Sequence, residues 1–505
     1  MKIEINKEIG IPIYSQIFQQ IRQQILSGEL IPGYRLPSER KLAEKLGVNR
    51  TTILNAYREL KADGFIGSKI GDGTVVLASF DDESSIDDEV YQEPIWNQVF
   101  SEYSSKFDSY VIKGLMELAS KKDVISFATG IPSPETGPTQ ALEGIERELL
   151  EKKNHRALMY SPTEGFKSLR KVISNLMNKR GVYCSCDEIM MLSGSQQGID
   201  LAARTLLDYG DIVVVEEPSF FPAIQSFKAV GARVIGVPVD ENGMKIDVLE
   251  ELLQRYKPKF IYTIPTFQNP TGFEMDIERR KKLIELAYKH RVIIIEDDAY
   301  GDLGYEGKSL PLLKSMDTNG SVIYLSTFSK NIFSGLRLGW MVAHKRVIKE
   351  FATAKQIVDL HSSSLSQWIV ERFIESGEFE DHIKNICKEY KFRRDLMDSS
   401  LLKYAPAGLK WRKPRGGYYI WCKLPKGVSA SRLIVKCAEY NVAFVPGRTF
   451  STSGDGDEFI RLNFTFVNVD KIDEGIKRLC RAMKEQIISV CEYESDIEGE
   501  INPII

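Results

Sequence analysis

The sequence predicts a multi-domain protein in which a small α+β unit precedes a much larger α/β domain. Two observations support this. Apolar residues recur at helical spacing near the N-terminus, and from about residue 109 short β-branched runs alternate with amphipathic helical stretches. A chain of 505 residues with 43% hydrophobic and 27% charged residues has room for several globular domains. We expect an N-terminal domain over residues 1–78 and a linker over residues 79–108. A large domain over residues 109–488 and a C-terminal tail over residues 489–505 follow.

The net charge of −3 is unevenly distributed along the chain. Residues 1–78 carry eleven Lys or Arg and eight Asp or Glu, which gives +3. Residues 79–105 carry eight acidic residues and no basic one, which gives −8. An acidic run without apolar periodicity is typical of a linker, whereas a mildly basic head suits a nucleic-acid partner.

The seven cysteines are scattered, without the spacing of a zinc site or of a disulfide framework. We therefore expect free thiols and no metal. The N-terminal stretch MKIEINKEIG lacks the apolar core of a signal peptide, and no run approaches the roughly 20 apolar residues of a membrane span. The sequence predicts a cytoplasmic protein without a membrane segment.

The head of the chain has the pattern of three helices followed by a hairpin. Isoleucines at four-residue spacing predict a first helix over residues 12–27. Ser38 and Asn49 are the predicted N-caps of two further helices, which a turn at Gly47 separates. Short β-prone runs around a Gly-Asp-Gly tip predict a hairpin over residues 65–76.

Two helices joined by a glycine turn and followed by a hairpin describe a winged helix-turn-helix, which is a DNA-binding unit. The third helix is the predicted recognition helix, because its apolar face serves for packing. Arg50, Thr51 and Asn55 would then face outward and reach phosphates or base edges. Arg35 and Arg40 precede this helix and are placed for contacts to the DNA backbone.

In the large domain, the alternation of strands and helices indicates a mostly parallel sheet covered by helices. An amphipathic helix is predicted over residues 277–288. Four apolar, β-branched runs are predicted strands, at residues 212–215, 260–264, 292–295 and 322–324.

Several polar residues follow these strands. Lys330 lies in a Ser- and Thr-rich loop just after the strand at 322–324, and Arg337, seven residues on, offers a planar fork suited to phosphate. Asp297 ends another buried strand, at the sheet edge where ligands bind, and Tyr300 is three residues further on. A single lysine in such a loop is more often a solvated charge, so the combination matters more than any one residue.

Three further motifs supply the remaining groups of one site. Ser195 and Gln196 precede a predicted helix whose N-terminal N–H groups can hold a phosphate. Asn269 is a potential hydrogen-bond donor, although an Asn-Pro pair is usually a turn. Phe220 is a candidate stacking ring. A lysine, a carboxylate, phosphate donors and a ring together are what pyridoxal 5′-phosphate needs from a protein.

Two family resemblances cover most of the chain. Residues 11–77, with the strings PGYRLPSERKLAEKLGVNRTTILNAYREL and GDGTVV, resemble the DNA-binding domain of the GntR family of bacterial transcription factors. In that family the motif arginines fall on Arg40 and Arg50, whereas Leu54 stands where some members have a second basic residue. Residues 126–461 resemble class-I aminotransferases of PLP fold type I, which have a smaller C-terminal α/β subdomain.

The second resemblance implies a role for each residue of the predicted cofactor site. Lys330 would form the Schiff base, Asp297 would pair with the pyridine nitrogen, and Phe220 would stack on the ring. Arg461 would bind a substrate carboxylate, beside an entrance loop at Gly130. Tyr300 and Asn269 would contact the O3′ atom. The phosphate would be contacted by Ser195, Gln196, Thr327, Ser329 and Arg337, and by Tyr160 of the partner subunit.

The fusion of the two parts resembles the MocR subfamily of GntR-type regulators. This resemblance implies a homodimer that binds double-stranded operator DNA, with pyridoxal phosphate or an amino compound as effector. A working transaminase with a DNA-binding head stays open as the alternative, because the cofactor site has no missing group. A purely structural dimerisation module fits so complete a site poorly.

Overall fold

The computed structural model describes residues 12–69, 73–77, 123–151, 155–307 and 310–500, together with positions 1, 3, 5 and 101. In the last helix, side chains are described up to Ile488. The chain divides into two compact units, Met1–Ser104 and Ser105–Ile505. Of the predicted linker, residues 79–108, only Ser101 is among the described residues.

The N-terminal unit has the predicted order of three helices and a hairpin. The Ser38 side chain accepts a hydrogen bond from the Lys41 N–H, and the Asn49 side chain accepts one from the Thr51 N–H, so both predicted N-caps are confirmed. The elements are α1 (Ile13–Leu26), α2 (Glu39–Leu46), α3 (Arg50–Ala62), β1 (Ile66–Lys69) and β2 (Gly73–Val76), with β1 and β2 antiparallel.

The core of this unit fixes which face of α3 points outward. Ile17 and Ile21 of α1 and Ile53 and Leu60 of α3 are fully buried. The Tyr57 hydroxyl, also on the inner face of α3, donates to the Pro37 carbonyl at 2.8 Å. Because the apolar residues occupy the inner face, the polar residues of α3 lie on the surface.

The large unit is built on an eight-stranded sheet of order β4-β11-β10-β9-β8-β5-β6-β7. The strands β10, β9, β8, β5 and β6 are parallel neighbours, whereas β11 runs antiparallel between β10 and β4. All residues of β4, β8, β10 and β11 are buried, as expected for a sheet covered on both faces. The strands are β4 (Ile189–Leu192), β5 (Ile212–Glu217), β6 (Arg233–Asp240), β7 (Gly243–Met244), β8 (Phe260–Thr263), β9 (Ile293–Asp298), β10 (Val322–Thr327) and β11 (Gly339–Val342).

Helices alternate with these strands, and the four strands predicted from sequence are all present. The helices of this part are α4 (Thr139–Glu151), α5 (Lys167–Lys179), α6 (Ser195–Leu206), α7 (Phe221–Ala229), α8 (Ile246–Arg255), α9 (Ile277–His290), α10 (Leu313–Met316), α11 (Lys345–Asp359) and α12 (Ser364–Glu375).

A smaller α/β subdomain follows, as expected. Its antiparallel sheet has the order β12-β13-β16-β15, and a short strand β3 (Ile125–Ser126) pairs in parallel with β14. Its other elements are α13 (Glu378–Tyr404), β12 (Lys410–Trp411), β13 (Tyr419–Lys423), α14 (Ala430–Glu439), β14 (Val442–Ala443), β15 (Val445–Pro446), β16 (Phe459–Asn463) and α15 (Val469–Glu500).

The last helix extends into the predicted C-terminal tail, residues 489–505. Helix α15 continues without a break through residue 488 to Glu500. The segment from 489 to 498 contains no proline or glycine that would end a helix. Within the described residues, no helix combines the length and apolar character needed to cross a membrane.

Candidate functional site

A cavity of about 230 Å³ lies where β8, β9 and β10 end in the large unit. Ile264 directly follows β8, Asp297 is near the end of β9, and Lys330 follows β10. In a parallel sheet the carboxyl ends of the strands form the edge at which ligands bind. The cavity is lined by Ala128, Thr129, Gly130, Ser195, Phe220, Phe221, Pro222, Ile264, Asn269, Asp297, Ala299, Tyr300, Lys330, Tyr419, Val445, Thr449, Phe450 and Arg461.

Lys330 projects into the cavity from a 3₁₀ turn, Phe328–Lys330, at the end of β10. Its Nζ donates to the Gly130 carbonyl at 2.6 Å. Burial lowers the pKa of Lys330, because desolvation disfavours its charged form. A lower pKa increases the fraction of neutral amine, which is the nucleophilic form that attacks a carbonyl carbon.

Asp297 is 3% exposed, and its two carboxylate oxygens are in different situations. Oδ2 accepts a hydrogen bond from the Tyr262 hydroxyl at 2.7 Å, whereas Oδ1 has no partner among the described residues. Burial raises the pKa of Asp297 to about 6, against the lowering effects of Tyr262 and Lys330. A buried carboxylate oxygen without a donor fits a protonated ring nitrogen in the cavity.

A candidate anion-binding surface lies at the start of α6, where Ser195 lines the cavity and Thr327, Ser329 and Arg337 are outside its lining. Ser195 is the first residue of this twelve-residue helix, and Gly194 precedes it with φ at 86°. Arg337 donates to the Ser193 carbonyl at 3.1 Å and to the Ser329 hydroxyl at 3.2 Å. The Thr327 hydroxyl lies 3.0 Å from Ser329 Oγ. Helix N–H groups, hydroxyls and a guanidinium together are suited to an anion.

Gln196 does not line the cavity. Its side-chain Nε2 donates instead to Ser226 on α7 at 3.0 Å. Its backbone N–H remains in the first turn of α6, so Gln196 can take part in anion binding through its main chain. Phe220, which caps the start of α7, does line the cavity, as expected of a stacking ring.

Tyr300 and Asn269 both reach the cavity but are already engaged with other side chains. The Tyr300 and Tyr419 hydroxyls are 3.1 Å apart. Asn269 Oδ1 accepts from Arg461 Nη1 at 3.0 Å, which leaves the amide nitrogen of Asn269 as its donor group. Gly130 also lines the cavity, and its carbonyl is the partner of Lys330.

Arg461 is 7% exposed and lies between two aromatic rings. Its guanidinium carbon is 4.2 Å from the centroid of Tyr419 and 4.8 Å from that of Phe450. Nη2 donates to the Ala128 carbonyl at 2.8 Å, whereas Nε has no partner among the described residues. A buried guanidinium without a carboxylate partner can receive one from a ligand.

Tyr160 lies apart from this group. Its side chain is 82% exposed and contacts the ring of His361 edge-on, with the centroids 5.4 Å apart. It does not line the cavity of its own chain. A contact between Tyr160 and a bound phosphate would therefore need a second subunit.

Sequence reasoning missed Tyr262 and Tyr419. Tyr262 lies in a strand whose other residues are mostly apolar, and a hydroxyl in such a strand is a weak signal of a buried polar partner. Tyr419 begins β13, where nothing in the sequence pointed to Tyr300 or Arg461. Both tyrosines pair with residues that are distant in the chain, and folding brings them together.

On the N-terminal unit, the predicted DNA-binding residues Arg35, Arg40, Arg50, Thr51 and Asn55 are all exposed. Arg50 donates to Glu39 at 3.1 and 3.3 Å, which fixes the direction of its side chain at the start of α3. Arg35 lies beside the hairpin, since a Cβ added at Gly73 would be 3.5 Å from its Nε.

Comparison with known proteins matches both units. Residues 122–479 match the family described as aminotransferase class I and II, and residues 13–76 match the gntR family of bacterial regulatory proteins. The chain belongs to the class I and II aminotransferases. It also carries a GntR-type head, and this combination is the MocR-like architecture that the sequence resembled.

Similar proteins occur with and without the head. An uncharacterised HTH-type transcriptional regulator of Bacillus subtilis, YisV, is 31% identical over 96% of this fusion chain and 98% of its own. Aromatic-amino-acid aminotransferase 1 of Thermococcus litoralis is 42% identical over 78% of the fusion chain and 95% of its own. The crystal structure of an α-aminoadipate aminotransferase from Thermus thermophilus, complexed with N-(5′-phosphopyridoxyl)-L-leucine, is 35% identical, with a TM-score of 0.74 over 78% of this chain and all of that one.

Proposed function

We propose that this protein is a DNA-binding transcriptional regulator whose aminotransferase-like domain binds pyridoxal phosphate and senses an amino compound. The observation that carries the proposal is the presence of both parts in one chain. An exposed polar face on α3 accompanies a cavity in which Asp297 Oδ1 and Arg461 Nε have no partner among the described residues. The similarity to a regulator over nearly the whole chain supports it further.

The residues around the cavity fit the cofactor. Lys330 would bind it covalently, Asp297 would receive the ring nitrogen, and the N-terminus of α6 with Arg337 would hold the phosphate. Phe220 would stack on the ring. When bound, the cofactor supplies a ring that accepts electrons from a carbon atom of the amino compound.

Sensing requires that the amino compound bind more tightly to one conformation of the protein than to another. Arg461 and the amide nitrogen of Asn269 are the groups that we expect to bind its carboxylate. They belong to different parts of the large unit, β16 and the loop after β8. A ligand that contacts both can therefore favour one relative position of these elements.

We propose a homodimer as the working state, in the cytoplasm where the operator DNA is found. Exposed apolar side chains on two neighbouring segments support the dimer, because a contiguous apolar surface usually marks an interface. The contact between Tyr160 and His361 joins the two segments. The exposed residues are Leu158, Met159 and Tyr160 in one segment, and Ile357, Val358 and Leu360 in the other.

A second candidate function is transamination. It is favoured by the partly buried Lys330, whose lowered pKa allows it to accept a proton from a bound amino compound. The 42% identity to an aminotransferase that lacks the head supports it as well. Release of a keto acid by the purified protein, at a rate typical of enzymes, would favour this function over sensing alone.

The DNA-binding proposal is tested by a gel shift with the DNA upstream of the protein's own gene, with and without pyridoxal phosphate. We expect Arg50→Ala to abolish binding, and Arg22→Ala, which removes the same charge from α1, to retain it. Binding should also weaken as salt is raised, because phosphate contacts release counterions. Equal loss in both variants would contradict the assignment of α3 as the recognition helix.

The cofactor proposal is tested by the visible absorption spectrum of the protein loaded with pyridoxal phosphate. The wild type should acquire the band of a lysine-bound cofactor, and Lys330→Ala should not. A wild-type protein that stays colourless with added cofactor would contradict the proposal. If that colourless wild-type protein still shifted the operator DNA in the gel, the DNA-binding proposal would remain supported.

A further inference from the structure

An ion pair that the cofactor site does not use lies beside the start of α6. Lys355 and Asp359 are one turn apart on α11, and Lys355 Nζ donates to Asp359 Oδ1 at 2.6 Å. The Lys355 side chain is fully buried, and that of Asp359 is 28% exposed. Neither residue belongs to the cavity lining. Burying such a pair is costly unless further hydrogen bonds satisfy it, so the other contacts of Asp359 indicate what the pair is for.

The second oxygen of Asp359 holds the turn that precedes α6. Oδ2 accepts from Gln197 Nε2 at 2.6 Å and from the Ser193 hydroxyl at 3.1 Å. The same Gln197 side chain accepts, through Oε1, from the Ser193 N–H at 2.9 Å. The Ser193 carbonyl accepts from Arg337. Each polar group of Ser193 therefore has a partner, and Asp359 is bonded to Ser193 both directly and through Gln197.

The position of this turn decides what the helix start presents to a ligand. Ser193 and Gly194 directly precede Ser195, which begins α6 and lines the cavity. The first N–H groups of a helix have no partner within the helix and can bind an anion. Such a site binds tightly only when the residues around it fix its geometry before the ligand arrives.

The charge of Asp359 strengthens these contacts. Burial by itself would raise the pKa of Asp359. Hydrogen bonds from Lys355, Gln197 and Ser193 instead lower that pKa below its usual range, so the carboxyl group is ionised at neutral pH. An ionised acceptor forms stronger hydrogen bonds than a neutral one. Lys355 balances the negative charge, which would otherwise repel an anion at the helix start.

The backbone after Asp359 is also fitted to Ser193. Leu360 has a φ of 60° and a ψ of −56°, a conformation that residues with a side chain rarely adopt and that surrounding contacts must hold. The Asp359 carbonyl accepts from the His361 N–H at 2.6 Å. The Ser193 hydroxyl also lies 3.3 Å from the Ser362 hydroxyl. The turn after α11 and the turn before α6 are therefore joined at Ser193.

We propose that Asp359 is a positioning residue for the phosphate of the cofactor. Through Ser193 and Gln197 it holds the candidate anion-binding surface in the conformation that binds the phosphate. This inference rests on the proposed function and adds to it a residue outside the cavity lining. Asp359 acts only through its neighbours, so its loss should weaken the binding of the phosphate and leave the binding of the ring unchanged.

The test compares two double variants that differ in a single hydrogen-bond acceptor. Lys355→Met/Asp359→Asn removes both charges and keeps an oxygen that can accept from Ser193 and Gln197. Lys355→Met/Asp359→Ala removes this oxygen as well. Neither variant leaves a buried charge unpaired. The full-length proteins are titrated with pyridoxal phosphate and with pyridoxal, which has the same ring and aldehyde but no phosphate.

We expect the alanine variant to bind pyridoxal phosphate about tenfold more weakly than the asparagine variant, which corresponds to the loss of about one hydrogen bond. The two variants should bind pyridoxal equally, whereas a general loss of structure would weaken the binding of both ligands. Equal affinities of the two variants for pyridoxal phosphate would overturn the inference. An equal loss of affinity for both ligands in the alanine variant would overturn it as well.

Gln197→Met provides a second measurement, which does not depend on the folding of the alanine variant. It keeps the ion pair of Lys355 and Asp359 and removes the contacts of Gln197 to Asp359 and Ser193. We expect it to lower the affinity for pyridoxal phosphate severalfold and to leave the affinity for pyridoxal unchanged. An unchanged ratio of the two affinities would overturn the inference.

The wild type separates this inference from the proposed function. If it binds pyridoxal phosphate more tightly than pyridoxal and the two double variants do not differ, the cofactor proposal stands and the role of Asp359 is wrong. If the wild type does not prefer pyridoxal phosphate, the phosphate site at α6 fails, and the inference about Asp359 fails with it.

Discussion

At the scale of single residues, the burial of Asp297 carries an energetic cost that Tyr262 and Lys330 offset only in part. Burial raises its pKa from 3.8 to about 6, and its Oδ1 has no donor among the described residues. The unfolded chain has no such burial. The cofactor-free protein must therefore lose stability over the pH range in which the carboxyl group ionises.

We predict that Asp297→Asn makes the cofactor-free protein more stable than the wild type at neutral pH. Below about pH 3.8 the wild-type carboxyl is protonated in both the folded and unfolded states and costs nothing. The penalty grows as the pH rises toward 6 and is constant above it. A shift of about two pKa units corresponds to about 3 kcal/mol in the free energy of unfolding.

Urea denaturation of both proteins at a series of pH values between 4 and 8 measures this difference. Glu296, whose pKa is raised to about 7 by burial, contributes equally to both curves and cancels in the comparison. Parallel curves for the wild type and the variant would show that Asp297 is not penalised by burial.

Residues that end strands were predictable from sequence, whereas their partners were not. Lys330 and Asp297 directly follow or end apolar runs, so the chemistry expected at the edge of a sheet pointed to them. Tyr262 and Tyr419 bond to residues 35 and 119 positions away, respectively. Such pairings depend on how the elements pack, and local patterns do not contain that information.

At the scale of elements, the helix starts were the most predictable features. Ser38 and Asn49 cap α2 and α3 because their side chains accept hydrogen bonds from N–H groups that the helix leaves unpaired. The end of α15 was less predictable. The acidic residues near its C-terminus have no apolar periodicity, yet nothing between 489 and 498 interrupts the helix.

The start of α6 provides a second prediction, because an alanine at Gly194 would disturb the candidate anion-binding surface. Gly194 has a φ of 86°, and an added Cβ would lie 2.8 Å from Arg337 Nη2. We predict that Gly194→Ala destabilises the protein by about 1 kcal/mol or more through backbone strain. We also expect it to weaken cofactor binding about tenfold, because Arg337 must move away from the helix N-terminus.

Gly210→Ala is the matched control for this prediction. Gly210 has a φ of 85°, and no atom of the described residues lies within 4 Å of a Cβ added there. We expect Gly210→Ala to lower the stability of the protein without changing the dissociation constant of pyridoxal phosphate, which fluorescence titration measures. A similar loss of cofactor affinity in both variants would mean that strain alone, and not Arg337, explains the effect.

At the scale of the whole molecule, composition and periodicity predicted the order of the parts of the chain. The basic helical head, the acidic segment and the alternating α/β pattern differ strongly in charge and in the spacing of apolar residues. Whether a second subunit contributes to the cofactor site depends on how two chains pack, and the pattern along one chain does not contain that information. Tyr160 is exposed and does not line the cavity of its own chain. We therefore predict that it acts on the site of the partner.

Mixing two variants, each expected to bind pyridoxal phosphate less tightly than the wild type, tests this prediction. Lys330→Ala removes the attachment lysine from one protomer, and Tyr160→Phe removes the hydroxyl from the other. In a mixed dimer, the site that keeps Lys330 faces a protomer that keeps Tyr160, so one site regains both groups. We expect mixed dimers to recover wild-type affinity for pyridoxal phosphate at half of their sites, measured by absorbance titration. If Tyr160 acted within its own chain, the mixture would bind no better than the Tyr160→Phe homodimer alone.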